Sequence, residues 1–280
     1  IAGAIKIDSK ISRWIGKITQ LNLQKCDATI FLGSYLKEHA ENRWGVTNKA
    51  DVIDISTDLA LYDEKISTLN KTSKIIVHYG GQLGHLHDAK SIIESIRYVL
   101  KSDLGDLVEF NFYVSGAQAN FLEKSLNGLP VKIISAIPSY QWRQDIREFH
   151  IGLVSLSPGG ASVCLPSKTY GMMAGGMAIM AICPVWSDLG KIINNLNAGW
   201  VINNSSFLST KELKVGNYNQ NLRSEIDKKI VASEFYDCLK VIIANRDLLE
   251  EKRRGAFNGV RSNYNINVLS NKWKEVILHS

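Results

Sequence analysis

The chain has 280 residues, 45% hydrophobic and 21% charged, with 5 prolines, which excludes a disordered or collagen-like protein and supplies enough chain for one large α/β domain or two small ones. No apolar run reaches the roughly eighteen residues of a membrane-spanning helix, and the net charge of +6 favours anionic partners without naming one. The chain opens Ile1-Ala2-Gly3, with no methionine and no signal- or transit-peptide composition, so a fragment is expected.

From Ile5 to Leu21 the apolar residues Ile7, Ile11, Trp14, Ile18 and Leu21 recur at alternating steps of four and three, which predicts one face of a helix. Lys6, Lys10, Arg13 and Lys17 follow the same steps shifted by one, a basic stripe beside the apolar one. The favoured reading is a core-packed helix with a solvated flank; the alternative is an interfacial helix on anionic lipid. Next come short strands at Ala28 to Leu32 and Val52 to Ile55, with a helix over Ser34 to Arg43 between them.

From residue 74 apolar runs alternate with helical stretches. The strands are Ile75–Tyr79, Phe110–Val114, Val131–Ile134, Gly152–Leu156, Ala178–Ile182 and Gly199–Ile202, and the helices start near Ala89, Ala119, Tyr140, Ser167 and Ser187. Continuous apolar strands separated by helices predict βαβ units, hence an α/β fold with a doubly wound parallel sheet covered on both faces. A polar loop ends near Arg223, and helical periodicity resumes at Ile226, Ile230, Phe235, Leu239 and Ile242, then over Leu248–Val260 and through Leu269, Trp273, Val276 and Ile277. Cys26, Cys164, Cys183 and Cys238 are isolated, with no C-x-x-C pair, and read as reduced thiols of a cytoplasmic protein.

Ligands of such sheets bind at the carboxyl ends of the strands, and three loops there carry signals. Tyr79-Gly80-Gly81-Gln82-Leu83-Gly84-His85-Leu86-His87-Asp88 places three glycines between a strand and a helix, where backbone amides approach a phosphate closely. It is not a nicotinamide fingerprint, because the next strand ends Tyr113-Val114-Ser115-Gly116 without a ribose-binding carboxylate, and no Walker lysine follows. A metal cluster of His85, His87 and Asp88 is disfavoured, since three ligands crowded on one loop seldom close a site. Ser115-Gly116 forms a second small-residue loop. In the third, Pro166-Ser167-Lys168 starts a helix with Ser167 expected as amino-cap. Lys168 in the first helical turn reads either as a solvated residue or as a ligand-directed cation, because the dipole disfavours cations there. Two phosphate-directed elements facing each other suggest a diphosphate ligand.

Pro166-Ser167-Lys168-Thr169-Tyr170-Gly171, followed by Met173-Ala174-Gly175-Gly176 and an apolar strand, resembles the nucleotide-sugar site of family 4 glycosyltransferases of the GT-B fold. It is most similar to their bacterial exopolysaccharide and O-antigen branch, of the colanic acid and N-acetylfucosamine type. The turn from Tyr79 to Asp88 resembles that branch's Tyr-Ser-Gly-Asn-x-Gly-x-x-His-Asp, and Val114-Ser115-Gly116 its strand-end glycine; the match runs from about residue 28 to the end. The resemblance implies that Gly80, Gly81, Gly84, His85, Ser167 and Lys168 hold the donor diphosphate. It implies that Ser115, Gly116, Pro166, Thr169 and Tyr170 lie near the nucleoside and sugar. The wider family has two glutamates where Val163 and Gly171 stand, and its usual proline appears as Ala178, so the carboxylate contacts to sugar and ribose are missing.

The implied organisation is a remnant of an acceptor-side Rossmann-like domain over 1–57, a nucleotide-sugar domain over 58–262, and a helix crossing back over 263–280. The implied activity is retaining transfer of a sugar from a UDP-type donor to a lipid-linked or saccharide acceptor in cell-surface polysaccharide synthesis, with no metal and no cofactor. The enzyme would be cytoplasmic and peripheral on the inner membrane face through Lys6, Lys10, Arg13 and Lys17. The missing glutamates motivate a second expectation, a catalytically degraded homologue that binds nucleotide-sugar or a partner enzyme without transfer. Nucleic acid is a poor partner, because no aromatic-interleaved basic patch accompanies the charge.

Overall fold

The computed structural model describes residues 9–45, 50–68, 74–207 and 225–279. Lys6, Ile5 and Ile7 of the expected basic helix, and residues 208–223 of the expected polar loop, lie outside the described residues.

Helix α1 (Lys10–Lys25) is capped by Ser9, whose hydroxyl accepts the Ser12 amide, and leads through β1 (Thr29–Phe31) and α2 (Ser34–Trp44) to β2 (Ala50–Val52). β1 and β2 pair in parallel as a two-stranded sheet of their own. The expected core packing of α1 is not met: none of its residues is buried, and Ile11, Trp14, Ile15, Ile18 and Leu21 are exposed. The 3.6-residue pattern fixes which residues share a face but not what covers that face.

The main body is a six-stranded parallel sheet of β3 (Ile75–Gln82), β4 (Val108–Ser115), β5 (Val131–Ser135), β6 (Ile151–Ser155), β7 (Ala178–Ile182) and β8 (Gly199–Ile202), in the order β5-β4-β3-β6-β7-β8. The alternating connections are helices α3 (Ala89–Leu100), α4 (Ala119–Leu126), α5 (Ser139–Asp145), α6 (Pro158–Ala161), α7 (Lys168–Ala174) and α8 (Asp188–Asn195). α9 (Lys228–Ala244), α10 (Arg246–Asn263) and α11 (Ile266–His279) follow. Period-two geometry sends alternate side chains to opposite faces. On β7, Ala178, Met180 and Ile182 join one core with Ile92, Ile96, Phe235 and Leu239, while Ile179 and Ala181 join the other with Met172, Leu189, Ile193 and Val260. Burial on both faces is why these strands read as unbroken apolar runs.

The order reverses between β3 and β6, and these strands pair only at Val77↔Ile151 and His78↔Gly152, whereas β3 stays bonded to β4 through Gln82. Beyond His78 the two strands therefore part at their carboxyl ends, and the gap is the crevice that this topology offers a ligand.

Two contacts fix the β1–α2–β2 unit to the large sheet. The Asp188 carboxylate accepts the Tyr35 amide at 2.8 Å, the Leu36 amide at 3.0 Å and the Ser34 hydroxyl at 3.1 Å, serving from α8 as the amino-cap that Gly33 cannot supply. Gly33 is required there, since a Cβ would stand 2.3 Å from Asp188 Oδ2. On the other side Thr57 donates its amide to Tyr264 and accepts that of Ile266, zipping the segment before the main body to the start of α11.

Candidate functional site

A cavity of about 580 Å³ occupies the crevice, lined by Gly80, Gly81 and Gln82 of β3, by the loops following β5 and β6, and by Thr57 and Tyr62. β3 runs straight through the expected glycine turn. Gly80 and Gly81 are strand residues paired with Tyr113 and Val114, so their backbone, not a loop, forms the floor. Gly81 has φ +95°, a left-handed conformation open to glycine, which reorients the peptide at the strand's end. At Gly80 a Cβ would lie 2.6 Å from the Trp142 indole nitrogen and 2.8 Å from His78 Nε2. The next loop is clamped by Gln118, whose amide donates to the carbonyls of Gly84 at 2.6 Å and His87 at 3.0 Å.

Lys168 crosses from α7 to this floor. Its ammonium donates to the Gln82 carbonyl at 3.2 Å and sits 3.6 Å from the centroid of the Tyr79 ring. Burial lowers its pKa to about 7, with Cys164 acting in the opposite direction. No ion pair to Lys168 occurs among the described residues, so a bound anion would supply the missing counter-charge. No aspartate or glutamate lines the cavity among the described residues.

The expected amino-cap at Ser167 is corrected. Ser167 has φ −60° and ψ −30° and its side chain makes no capping bond. The bonds from Thr169 to Pro166 and from Tyr170 to Ser167 wind the chain already at Pro166, so Ser167 lies inside the first turn and cannot fold back on its amides. Its exposed side chain lines the cavity instead.

Of the expected diphosphate residues the structure brings Gly80, Gly81, Ser167 and Lys168 together, with Pro166 beside them. Gly84 and His85 are outside the lining, and His85 is exposed. Ser115 and Gly116 are outside it too: the Ser115 carbonyl accepts the Leu83 amide at 2.7 Å, and Gly116, at φ +99°, packs on the Leu83 backbone. Thr169 and Tyr170 are buried on the inner side of α7, Tyr170 with its ring 5.0 Å from that of Tyr264. They face into the core because the helix turns them away from the cleft.

Sequence reasoning missed the aromatic wall. Trp142 donates its indole N–H to His78 Nε2 at 2.9 Å, and His78 Nδ1 donates to the Asn111 carbonyl at 2.8 Å, so a buried neutral histidine sets the indole's position. Tyr113, whose hydroxyl donates to Asp145 at 3.1 Å, and Tyr62 complete the wall. A Cβ on Gly171 would stand 2.8 Å from the Tyr62 hydroxyl and 3.3 Å from Trp142. The space a longer residue would need at 171 is filled by these two aromatics. The histidine between β3 and α3 that lines the cavity is His87, not His85, with Nδ1 donating to the Ser155 carbonyl at 2.5 Å. Asp88 beside it is fully engaged, accepting from Ser91, Asn204 and Lys228, and is a structural cap.

No family model matches this sequence and no curated protein matches it. Solved structures do match in three dimensions. Sucrose-phosphate synthase from Thermosynechococcus elongatus matches at TM-score 0.69 and 11% identity, over 98% of this chain and 65% of that one. TarM from S. aureus, solved with fondaparinux, alpha-GlcNAc-glycerol and UDP, matches at 0.64 and 15%, over 97% of this chain and 48% of that one. A UDP-forming trehalose-phosphate synthase from Burkholderia vietnamiensis matches at 0.65 and 11%, over 94% and 63%. The chain spans less than two thirds of the length of each of these three. Together with the parallel six-stranded sheet, these likenesses identify the fold as a Rossmann-like domain of the GT-B glycosyltransferase type.

Proposed function

We propose that this chain binds a nucleoside-diphosphate sugar of the UDP type in the crevice between β3 and β6, and that it is the donor part of a glycosyltransferase. One observation carries the reading. In a GT-B fold, at the topological switch point, an ammonium with no carboxylate partner among the described residues crosses to a glycine strand end, and aromatic side chains line another part of the cavity. The diphosphate lies against Gly80, Gly81 and Lys168, and the nucleoside against Trp142, Tyr113 and Tyr62. Stabilising negative charge on the departing diphosphate is the catalytic task of these groups, and the reading invokes neither metal nor cofactor. TarM in complex with UDP, a neighbour in fold, supports the choice of nucleotide.

The finer reading is retaining transfer of a hexosyl or acetamidohexosyl group to a lipid-linked or saccharide acceptor, in cell-surface polysaccharide synthesis of the family 4, O-antigen or colanic acid type. In it residues 1–57 belong to the acceptor-side domain, 58–262 bind the donor and 263–280 cross back. The experiment is a thermal-shift titration with UDP, GDP, ADP and TDP. UDP is expected to stabilise the protein most, and no stabilisation by any of them sinks the donor-site reading. Lys168→Ala is expected to weaken UDP about 10- to 100-fold, the worth of one charge-assisted contact of roughly 1.5–3 kcal/mol, with the fold intact by circular dichroism. An unchanged affinity would show that the anion binds elsewhere.

A second reading is favoured by the lack of carboxylates among the described residues that line the cavity and by the filling of the space at Gly171: a homologue that binds nucleotide-sugar or a partner enzyme without transfer. Tight UDP binding by the intact protein, without donor hydrolysis or transfer, would support it.

We place the protein on the cytoplasmic membrane face. Helix α1 carries Lys10, Arg13, Lys17 and Lys25 without an acidic residue, beside exposed Ile11, Trp14, Ile15, Ile18 and Leu21. Among the described residues no helix is long and apolar enough to cross a membrane, and the attachment proposed is a peripheral one through α1. Sedimentation with phosphatidylglycerol-containing vesicles should exceed that with neutral vesicles and fall as salt rises; equal sedimentation would count against docking.

A further inference from the structure

His87 lines the donor cavity and belongs to none of the groups assigned above to the nucleotide. Its ring is fixed: Nδ1 donates to the Ser155 carbonyl at 2.5 Å, and Gln118 holds the residue's own carbonyl at 3.0 Å. That bond assigns the proton to Nδ1 and leaves Nε2 as an acceptor, with no partner among the described residues. His87 and Lys168 flank one aromatic ring, His87 edge-on to Tyr79 at 6.3 Å and Lys168 at 3.6 Å from its centroid. An imidazole acceptor beside a lysine is of no use to an anion unless the imidazole is protonated.

Resting on the donor-site reading, we propose that His87 is a second cationic contact for the diphosphate, its Nε2 taking up a proton as the anion binds. The groups that face it are Lys168 from α7, the Tyr79 ring from β3, the Ser155 carbonyl from β6, and Cys164, which lines the same cavity. Asp88, its chain neighbour, is spent on Ser91, Asn204 and Lys228. In the empty site burial first, then Lys168, lowers the histidine's pKa to about 4, so the free protein holds it neutral at pH 6. A diphosphate against the ring reverses both causes, by replacing lost solvation and neutralising the lysine. Lys168, near 7 when the site is empty, is already mostly charged at pH 6. Its own proton uptake therefore falls above pH 7, and the two groups separate on the pH axis.

The test is calorimetric titration of UDP into the full chain at pH 6 and pH 8.5, in buffers of different ionisation enthalpy. The protein is wild type, His87→Asn, His87→Lys or Lys168→Arg. Asparagine keeps a donor for Ser155 and deletes the Nε2 contact, lysine supplies a permanent charge, and UDP's own phosphate titration is common to all four and cancels in the comparison. Wild type is expected to take up protons at pH 6 beyond those of UDP itself, with affinity rising up to about tenfold per pH unit as the pH falls toward 6. His87→Asn should lose that excess and bind more weakly. His87→Lys should lose the excess but keep affinity at pH 6, and Lys168→Arg should retain the pH 6 uptake while losing that at pH 8.5. Binding of UDP with identical pH 6 uptake in wild type and His87→Asn overturns the proposal and leaves the donor site standing. Failure of UDP to bind wild type overturns the donor site itself. Urea melts of each variant identify any that do not fold, and His87→Lys keeps the test open if His87→Asn is among them.

Discussion

Between pH 6.5 and pH 4 the protein is expected to lose most of its stability, as read from urea unfolding at steps of half a pH unit. Four histidines drive this, His87 of the cavity among them, its pKa lowered to about 4 by burial and then by Lys168. His39, His78 and His150 are each held at about pKa 4, burial being the largest cause in every case, whereas an unfolded histidine titrates near 6.5. With folded values below unfolded ones, the unfolded chain binds more protons as the pH drops under about 6.5. Stability is therefore complete above that pH and is lost down to about 4. Each histidine contributes a slope of up to about 1.4 kcal/mol per pH unit, so four together approach roughly 5.5, against a total stability of about 5–15 kcal/mol for an ordinary domain. The geometry agrees, since His150 Nδ1 accepts the Ile76 amide at 3.2 Å and His78 Nε2 accepts from Trp142. Protonating either nitrogen forfeits a hydrogen bond, and at His78 it also frees the indole that walls the cavity between β3 and β6. His78→Gln should reduce the slope by about a quarter, whatever it does to stability at pH 8. A stability flat from pH 7.5 to 5 would refute the assignment.

Arg253→Ala is expected to cost about 3–5 kcal/mol in urea unfolding, the usual price of breaking a buried charged network. The side chain is fully buried on α10, and its guanidinium donates to the Gly176 carbonyl at 2.8 Å, to Glu250 at 2.7 Å, and to the Ser67 carbonyl and hydroxyl at 3.0 and 3.2 Å. Three separate parts of the chain thus meet on one planar group. Gly176 turns the chain at φ +87° from α7 into β7, so the same contact steadies the helix that carries Lys168. Arg253→Lys should recover part of the loss, because an ammonium can satisfy Glu250 but not all the carbonyls at once. Arg253→Met, with similar bulk and no donors, separates lost packing from lost hydrogen bonds. A cost under about 1 kcal/mol for Arg253→Ala would mean that the network is replaced by solvent.

Much of the sheet was legible in the sequence. Ala178–Ile182 and Gly199–Ile202 are strands over the residues read from it, and α3 starts at Ala89 as read. Strands buried on both faces leave an unbroken apolar run, and Asp88 marks the start of α3 by capping the Ser91 amide. The site was legible only where one residue carries its signal alone: glycines at a strand end and a lysine in a first helical turn. Trp142, Tyr62 and Tyr113 carry no such mark, because their elements converge on the cavity only through the sheet, and nothing local told which of His85 and His87 faces it. Ser167 was misread as a cap because local rules assumed an extended residue where Pro166 had already begun the turn. The amphipathic pattern of α1 was visible, but periodicity states which residues share a face and nothing about what lies against it.

The sequence by itself determined a doubly wound parallel sheet, its strand and helix order, and glycines and a lysine suited to an anion at the strand ends. Each of those rests on short-range physics: side-chain period, burial of both strand faces, turn chemistry and helix capping. Only the tertiary structure decided that β3 and β6 part after His78, that His87 and not His85 faces the cavity, and that Tyr62 and Trp142 fill the space beside Gly171. Those facts depend on contacts between residues tens of positions apart, and no local pattern encodes such contacts.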